Sequence, residues 1–563
     1  MSGRSSQEIS NPKGACTRAE FLGTKVVYQI YVRSFNDSNG DGIGDLPGIT
    51  QRLDYLQKLG VDYLWLTPFF VSPQHDNGYD VADYRNVEPL FGTMADFDEL
   101  SAEAKKYGIK LMLDMVFNHT STEHPWFKQA LAGDPQYLAY YTFVDGNPNT
   151  PPTNWKSKFG GSAWEWVPTL HKWYLHLFDT SQADLNWDNP NVRAELADIV
   201  RFWHNKGVDG FRFDVVNLIS KPDVFKAIGD GRRFYTDGPH VHEYLQELVK
   251  RGGIDGLMTV GEMSSTSIEN CIRYSNPADH ELAMTFSFHH LKVDYLNGDK
   301  WALKEPDIGK LRELLKSWQE QITAGGGWNA LFWANHDQPR PNSRFGDTER
   351  YWEMSSKLLA VTAHLLHGTP YIYQGEELGM TNAGFTDITQ YRDVESLNYF
   401  KILQERGCSP KEALHIISER SRDNGRTPVQ WDASKTAGFT SGTPWIGIPD
   451  NHTVINAAAE VDDPDSIFSF YQKLITLRKA HPVISEGDIC FIDSAGEKVI
   501  AYERTLDDCC VRVFANFSDQ KVCCAPKAAI DGSDVLIGNY PDTVTDEGAL
   551  VLRPFEARAF IWE

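Results

Sequence analysis

The sequence has no run of about 18 apolar residues, so nothing in it reads as a membrane-spanning helix. Its first residues, MSGRSSQEISNPKGACTRAEF, hold no apolar stretch of signal-peptide length. Internal repeats and low-complexity tracts are missing as well. Positive charge is in deficit: 54 Lys and Arg face 77 Asp and Glu, a net charge of −23. That balance argues against a nucleic-acid backbone or an anionic membrane as the main partner. An anionic substrate would need a local cluster of cations to overcome the repulsion. The eight cysteines lack metal-ligand spacing, and two adjacent pairs, Cys509–Cys510 and Cys523–Cys524, crowd the C-terminal end. Neighbours on a strand face opposite ways, so each pair is expected to have one buried and one exposed thiol. Reduced thiols in a cytoplasmic enzyme are the expectation.

What is present is ordinary for a globular enzyme: 41% hydrophobic and 23% charged residues in a chain of 563. That length allows one large core and one or two smaller domains. Short apolar strands alternate with amphipathic helical stretches. Eight strand candidates begin at Val26, Tyr63, Ile109, Val208, Gly256, Leu282, Asn329 and Thr369. Between them lie helix patterns such as FDELSAEAKKYG and VRAELADIVRFWHNKG. Eight such units predict an α/β fold, a closed (β/α)8 TIM barrel of parallel strands. Residues 1–119 form its first part, with 1–20 a flexible extension. Residues 120–181, rich in Pro, Gly, Asn and Trp, interrupt the rhythm and read as an inserted small domain. The barrel resumes over 182–482. Short alternating strands then predict an antiparallel β-sandwich over 483–563.

Four predicted strands end in polar clusters, at the barrel face where this fold builds active sites. They are Asp114-Met-Val-Phe-Asn118-His119, Arg212-Phe-Asp214, Gly261-Glu262-Met263 and Asn335-His336-Asp337. One such carboxylate could be a helix cap or an ion-pair partner; four strands ending this way are far more specific. A separate loop, Asp37-Ser-Asn39-Gly-Asp41-Gly-Ile43-Gly-Asp45, places oxygen side chains at every second position around glycines. It resembles an EF-hand loop able to wrap a hard cation such as Ca²⁺, although a solvated acidic turn would have the same composition.

In order and wording the four strand ends resemble the signature regions of the α-amylase superfamily, glycoside hydrolase family 13. QADLN, from Gln182 to Asn186, resembles the mark of its oligo-1,6-glucosidase-like branch. The resemblance implies a retaining glycosidase acting on a small sugar; no organic cofactor and no nucleic-acid or membrane partner are expected, and a monomer is expected. Asp214 would be the nucleophile, Glu262 the general acid and base, and Asp337 the stabiliser of the oxocarbenium-like transition state. Arg212 would keep the nucleophile ionised, and Glu262 would need a raised pKa. His119 and His336 would bind sugar hydroxyls. Asp76 and Tyr79 would close the pocket over the non-reducing end, Tyr79 by stacking on the ring. In Arg422-Asp-Asn-Gly-Arg426, the second arginine is the better candidate for a sugar ligand. The loop ligands of a structural Ca²⁺ would be Asp37, Asn39, Asp41, the Ile43 carbonyl and Asp45.

Val215, directly after Asp214, implies α-1,6-type rather than α-1,4-type specificity. Segments from Asp230, Leu257, Met284 and Ser421 resemble the subgroup that hydrolyses trehalose 6-phosphate to glucose and glucose 6-phosphate. Its phosphate would fall to side chains, with Lys292 and the pair Arg232–Arg233 on segments that could reach the barrel mouth; ordinary surface charges are the competing reading. Alternatives in the same branch are an oligo-1,6-glucosidase or dextran glucosidase, and a sucrose isomerase. A remote one is a catalytically dead subunit that carries amino-acid transporters, which would have lost catalytic carboxylates and gained an anchor.

Overall fold

The computed structural model describes residues 8–9, 16–222, 224–226, 230–493 and 496–563. Eight parallel strands form its centre: β1 Val27–Ile30, β2 Tyr63–Leu66, β3 Lys110–Met115, β4 Gly210–Phe213, β5 Met258–Met263, β6 Met284–Ser287, β7 Ala330–Leu331 and β8 Thr369–Tyr373. Their spatial order is β6-β5-β4-β3-β2-β1-β8-β7. A parallel bridge between Thr285 and Asn329 joins the two ends, so the sheet closes into the expected barrel. The strands are buried almost throughout, as parallel strands covered by helices must be.

The covering helices start where the sequence supplies caps. Thr93 and Asp96 form a capping box at helix Met94–Lys106, and Asn189 caps Pro190–Asn205 with proline at its first position. The apolar side of the second helix buries Leu196, Val200 and Trp203 against the barrel. After β3 the chain leaves the barrel for a three-stranded antiparallel sheet, Phe143–Asp145, Trp164–Val167 and Lys172–Leu175. It returns through Gln182–Asp184, which pairs with His119–Ser121 at the end of β3 and so ties the excursion to the barrel mouth. After β8, helices Val394–Glu405 and Pro410–Arg420 form an overhang that the sequence reading did not separate from the barrel. C-terminal antiparallel sheets of five and three strands pack over a core that includes Val499, Phe514, Leu550 and Phe560.

Two expectations need correction. The end of the supposed flexible extension is structured: Cys16–Thr17 pairs with Glu8–Ile9, and Arg18–Gly23 is a helix capped by the Thr17 hydroxyl. Arg18 donates to the carbonyls of Ala283 and Gly326 at 2.8 and 3.3 Å, at the N-terminal end of the barrel. Residues 1–7 and 10–15 lie outside the described residues. Of the cysteine pairs, Cys523–Cys524 is split into exposed and buried thiols, but Cys509 and Cys510 are both half-buried because they begin a strand beside a turn. No helix among the described residues is long and apolar enough to cross a membrane.

Candidate active site

Strand register assembles the site. Arg212 of β4 pairs with Asp114 of β3 on one side and Val260 of β5 on the other. Side chains alternate along a strand, so Asp214, two residues past Arg212, returns to the same barrel face, and Glu262 does so two residues past Val260. The β4–β5 register runs to Phe213 opposite Gly261. One step further it sets Asp214 beside Glu262, across a spacing of about 4.8 Å between neighbouring strands. Retaining glycosidases need their two carboxyls about 5–5.5 Å apart. Register therefore puts the two side chains at neighbouring positions on one barrel face, where both reach Arg212.

One guanidinium sits among these acids. Arg212 donates to Asp114 at 2.7 Å and Asp214 at 2.8 Å, and its other terminal nitrogen meets Glu262. It is fully buried, above the Trp65 ring at 5.1 Å. Burial opposes its charge, yet Asp114 and Asp214 outweigh that and raise its pKa. Burial pushes Asp114 up to about 6 despite Arg212, while Tyr79 and Trp65 hydrogen-bond its Oδ2 at 2.9 and 3.1 Å. Of the three, Glu262 is the one that lines the adjoining cavity.

Asp337 lies just past β7. Burial resists its ionisation, but the charges of Arg422 and Arg426 hold its carboxyl well below the usual range. His336 approaches it at 3.2 Å and takes a contact from the Gln29 amide at 2.8 Å on its other nitrogen. With that amide nitrogen as donor, His336 is neutral and carries its proton towards Asp337. Burial pushes its pKa down to about 3. Tyr79 stacks on His336 with ring centroids 5.0 Å apart, so one ring face is already occupied by protein. The predicted roles of His119 and Arg426 look different in place. His119 reaches the Tyr79 carbonyl at 2.9 Å and the Asn118 amide at 3.2 Å, with its pKa lowered by burial, and so braces the loop that carries Tyr79. Arg426 donates to the His336 carbonyl and to Asp337, both at 2.9 Å.

Several residues of the site were missed or undervalued in the sequence. Arg422 donates to Asp76 at 3.0 Å, Asp337 at 3.2 Å and Asp393 at 2.6 Å. It thereby links the pocket-closing loop, β7 and the overhang after β8, a stronger tie to the site than Arg426 makes. Gln182 donates to Asp76 at 3.1 Å, and the branch-marking segment thus acts on the pocket through this amide. Burial pushes Asp76 up to about 7, with Arg422 and Arg426 opposing. Val215 has φ 35° and ψ 39°, a left-handed conformation costly for a β-branched residue. Only the tertiary arrangement exposes the contacts of Arg422 and Gln182, although both lie in segments that the sequence marks, Arg422-Asp-Asn-Gly-Arg426 and QADLN.

The adjoining cavity opens beside Glu262. Ser264, Ser265, Lys292, Tyr295, Asp337 and Gln338 line it with that glutamate. Lys292, which is exposed, belongs to the 3-10 turn His289–Lys292. Asp294 anchors that turn through Arg344 at 2.7 Å and through Arg420. Arg232 is exposed beside Asp230, 3.6 Å away, whereas Arg233 lies over the Phe234 ring.

The acidic loop is a chain of Asx turns. Asp37 Oδ1 accepts from the amides of Asn39 and Gly40 at 3.0 and 2.8 Å, Asn39 from Asp41 at 2.9 Å, and Asp41 from Ile43 at 2.8 Å. Asp45 caps the next helix through the Gly48 amide at 2.6 Å. Gly42 stands at φ 91°, where a Cβ would strike the Thr443 carbonyl. Oxygen donors throughout suit a hard cation. Among the described residues no group of three His, Cys, Asp or Glu side chains is gathered to hold a metal. Asn39 and the Ile43 carbonyl would have to complete a shell.

Two carboxyls on neighbouring strands that share Arg212 at the C-terminal mouth of a (β/α)8 barrel, with a third stabilised as an anion, define a glycosidase. Residues 29–487 match the family model for the α-amylase catalytic domain, and the chain belongs to the α-amylase family. It is 55% identical over 485 residues to the trehalose-6-phosphate hydrolase of Bacillus subtilis, covering 85% of this chain and 86% of that one. The crystal structure of the Bacillus licheniformis trehalose-6-phosphate hydrolase superposes with a TM-score of 0.91 at 51% identity, covering 96% and 99% of the two chains. The oligo-1,6-glucosidase of Parageobacillus thermoglucosidasius is 46% identical over 550 residues, 95% and 98% of the two chains.

Proposed function

We propose that this glycosidase hydrolyses trehalose 6-phosphate to glucose and glucose 6-phosphate by a retaining double displacement. Asp214 attacks the anomeric carbon while Glu262 protonates the departing oxygen. Glu262 then takes a proton from water as that water releases glucose from Asp214. Asp337, held ionised by its two arginines, stabilises positive charge on the ring. Asp76, Tyr79 and His336 close the glucose pocket, and His119, Gln182 and Arg426 fix their positions. The observation that carries the substrate assignment is the cation Lys292 in the cavity beside Glu262, on the leaving-group side, with Arg232 close enough to act on it. In a chain of net charge −23, a cation facing the leaving group favours an anionic sugar.

Incubation with trehalose 6-phosphate, trehalose and isomaltose in parallel tests this. Release of glucose and glucose 6-phosphate, with kcat/KM well above that for either neutral sugar, is expected. A preference for isomaltose would instead favour an oligo-1,6-glucosidase. The three carboxylates expected to be lost in a transporter-associated subunit are all in place, and Cys271, Cys408, Cys490, Cys509, Cys510, Cys523 and Cys524 are free thiols, as befits the cytoplasm. Asp37, Asn39, Asp41, the Ile43 carbonyl and Asp45 of the 37–45 loop would hold Ca²⁺, which would supply stability rather than chemistry. Chelation should lower Tm and added Ca²⁺ restore it; a Tm indifferent to both would remove the site.

A further inference from the structure

Lys158 is the cation of the cleft that motif and strand position do not reveal. It belongs to the inserted segment, where its amide donates to the Leu177 carbonyl at 2.8 Å. The side chain is half-buried, and its Nζ donates to the Ser264 hydroxyl at 3.0 Å. Ser264 lies two residues past Glu262 and lines the leaving-group cavity with Lys292. Its backbone is fixed on both sides by Asn217, at 2.9 and 3.1 Å, so the hydroxyl is held in place. Among the described residues no carboxylate stands within ion-pair distance of Lys158. The charges that face it are Arg232 and Lys292, which repel it, and Asp230 and Asp184, which attract it. Both acids are already engaged, Asp230 with Arg232 at 3.6 Å and Asp184 with Lys221 at 3.1 Å. Tyr235 offers only its ring face, 5.5 Å from the ammonium. Burial first, then Arg232 and Lys292, pushes the lysine down to about 7.

A desolvated lysine held by a serine, with two further cations near and its two attracting acids engaged elsewhere, is an unfavourable arrangement unless an anion completes it. We infer that Lys158 is a specificity-determining residue that, with Lys292 and the Ser264 hydroxyl, grips the phosphate of the leaving sugar. This rests on the substrate proposed above. A neutral disaccharide would fill the cavity and leave the cations facing each other uncompensated. A phosphate brings up to two negative charges and three acceptor oxygens.

The pH dependence follows from the sign. A phosphate monoester loses its second proton near pH 6, so the dianion and the charged lysine coexist between about 6 and 7. Above that, the free enzyme's lysine is neutral and must regain a proton to bind the dianion. KM for the phosphorylated sugar should therefore climb by up to about tenfold per pH unit. The neutral chromogenic substrate p-nitrophenyl α-glucoside should show no such climb.

The test measures kcat and KM for trehalose 6-phosphate and p-nitrophenyl α-glucoside from pH 6 to 9, in the wild type, Lys158→Met and Lys158→Arg. Thermal unfolding checks that each variant is folded. Lys158→Met should lower the selectivity ratio, phosphorylated over neutral, roughly 10- to 150-fold, the loss of one charge-assisted hydrogen bond. The loss should fall on KM rather than kcat, and the alkaline climb should vanish. Lys158→Arg should recover part of the selectivity but not the climb, because arginine stays charged. A selectivity ratio in folded Lys158→Met within twofold of wild type would overturn the inference while leaving the substrate assignment intact. A wild type that does not prefer the phosphorylated sugar would overturn both.

Discussion

At the scale of single residues the site is a set of acids sorted by their cationic neighbours. Arg212 serves Asp114, Asp214 and Glu262, whereas Arg422 and Arg426 converge on Asp337. Arg422 is the more exacting of the pair because three carboxylates from three parts of the chain depend on it. Lysine has one nitrogen and cannot replace such a fork. Arg422→Lys should leave Asp76 buried without its ion-pair partner, at a cost of about 3–5 kcal/mol. A clear fall in Tm and a loss in kcat/KM of about a hundredfold are expected, measured by calorimetry and steady-state kinetics. A variant within threefold of wild type would show that the fork is dispensable. The three carboxylates proposed as catalytic were legible in the sequence because each terminates an apolar strand. Arg422, Gln182 and Lys158 were not, because their meaning depends on partners 346, 106 and 106 residues away.

At the scale of elements, parallel register turns a sequence pattern into a geometry. Asp114, Arg212 and Glu262 meet because β3, β4 and β5 pair in a register that keeps them on one face. Periodicity revealed all eight strands, even β7, whose ladder spans only Ala330–Leu331. What periodicity could not show was the overhang after β8, since its helices bury Leu403, Ala413 and Ile417 against Trp301 rather than against the barrel. Nor could it show that helix Arg18–Gly23 caps the far end of the barrel. Arg18→Ala removes the hydrogen bonds to Ala283 and Gly326 and the contact with Trp328, 5.8 Å from the guanidinium. Because these lie opposite the catalytic mouth, Tm should fall by about 1–3 °C while kcat/KM stays within a factor of two. A kinetic defect of tenfold would mean that the extension acts on the site.

At the scale of the whole molecule, buried acids tie stability to pH. Burial pushes Glu376 and Glu460 up to about 8, against 4.5 for the free side chain. The folded chain therefore binds more protons than the unfolded one between those values. The stability they contribute is complete below about 4.5 and is lost as pH rises towards 8. Tm should decline from pH 6 to 8.5, and Glu460→Gln, which cannot ionise, should make the decline shallower. An unchanged slope would contradict the buried-acid account.

The central claim, that Asp214 is the nucleophile and Glu262 the acid and base, is tested most directly by trapping the covalent intermediate. With α-glucosyl fluoride, whose leaving group needs no proton, Glu262→Gln should still form the glucosyl-enzyme. Lacking the base that activates water, it should hydrolyse it slower by about 10²- to 10⁴-fold. Mass spectrometry of the peptides is predicted to find one added glucosyl unit on Asp214. A glucosyl unit on any other carboxylate, or turnover as fast as the wild type, would contradict it.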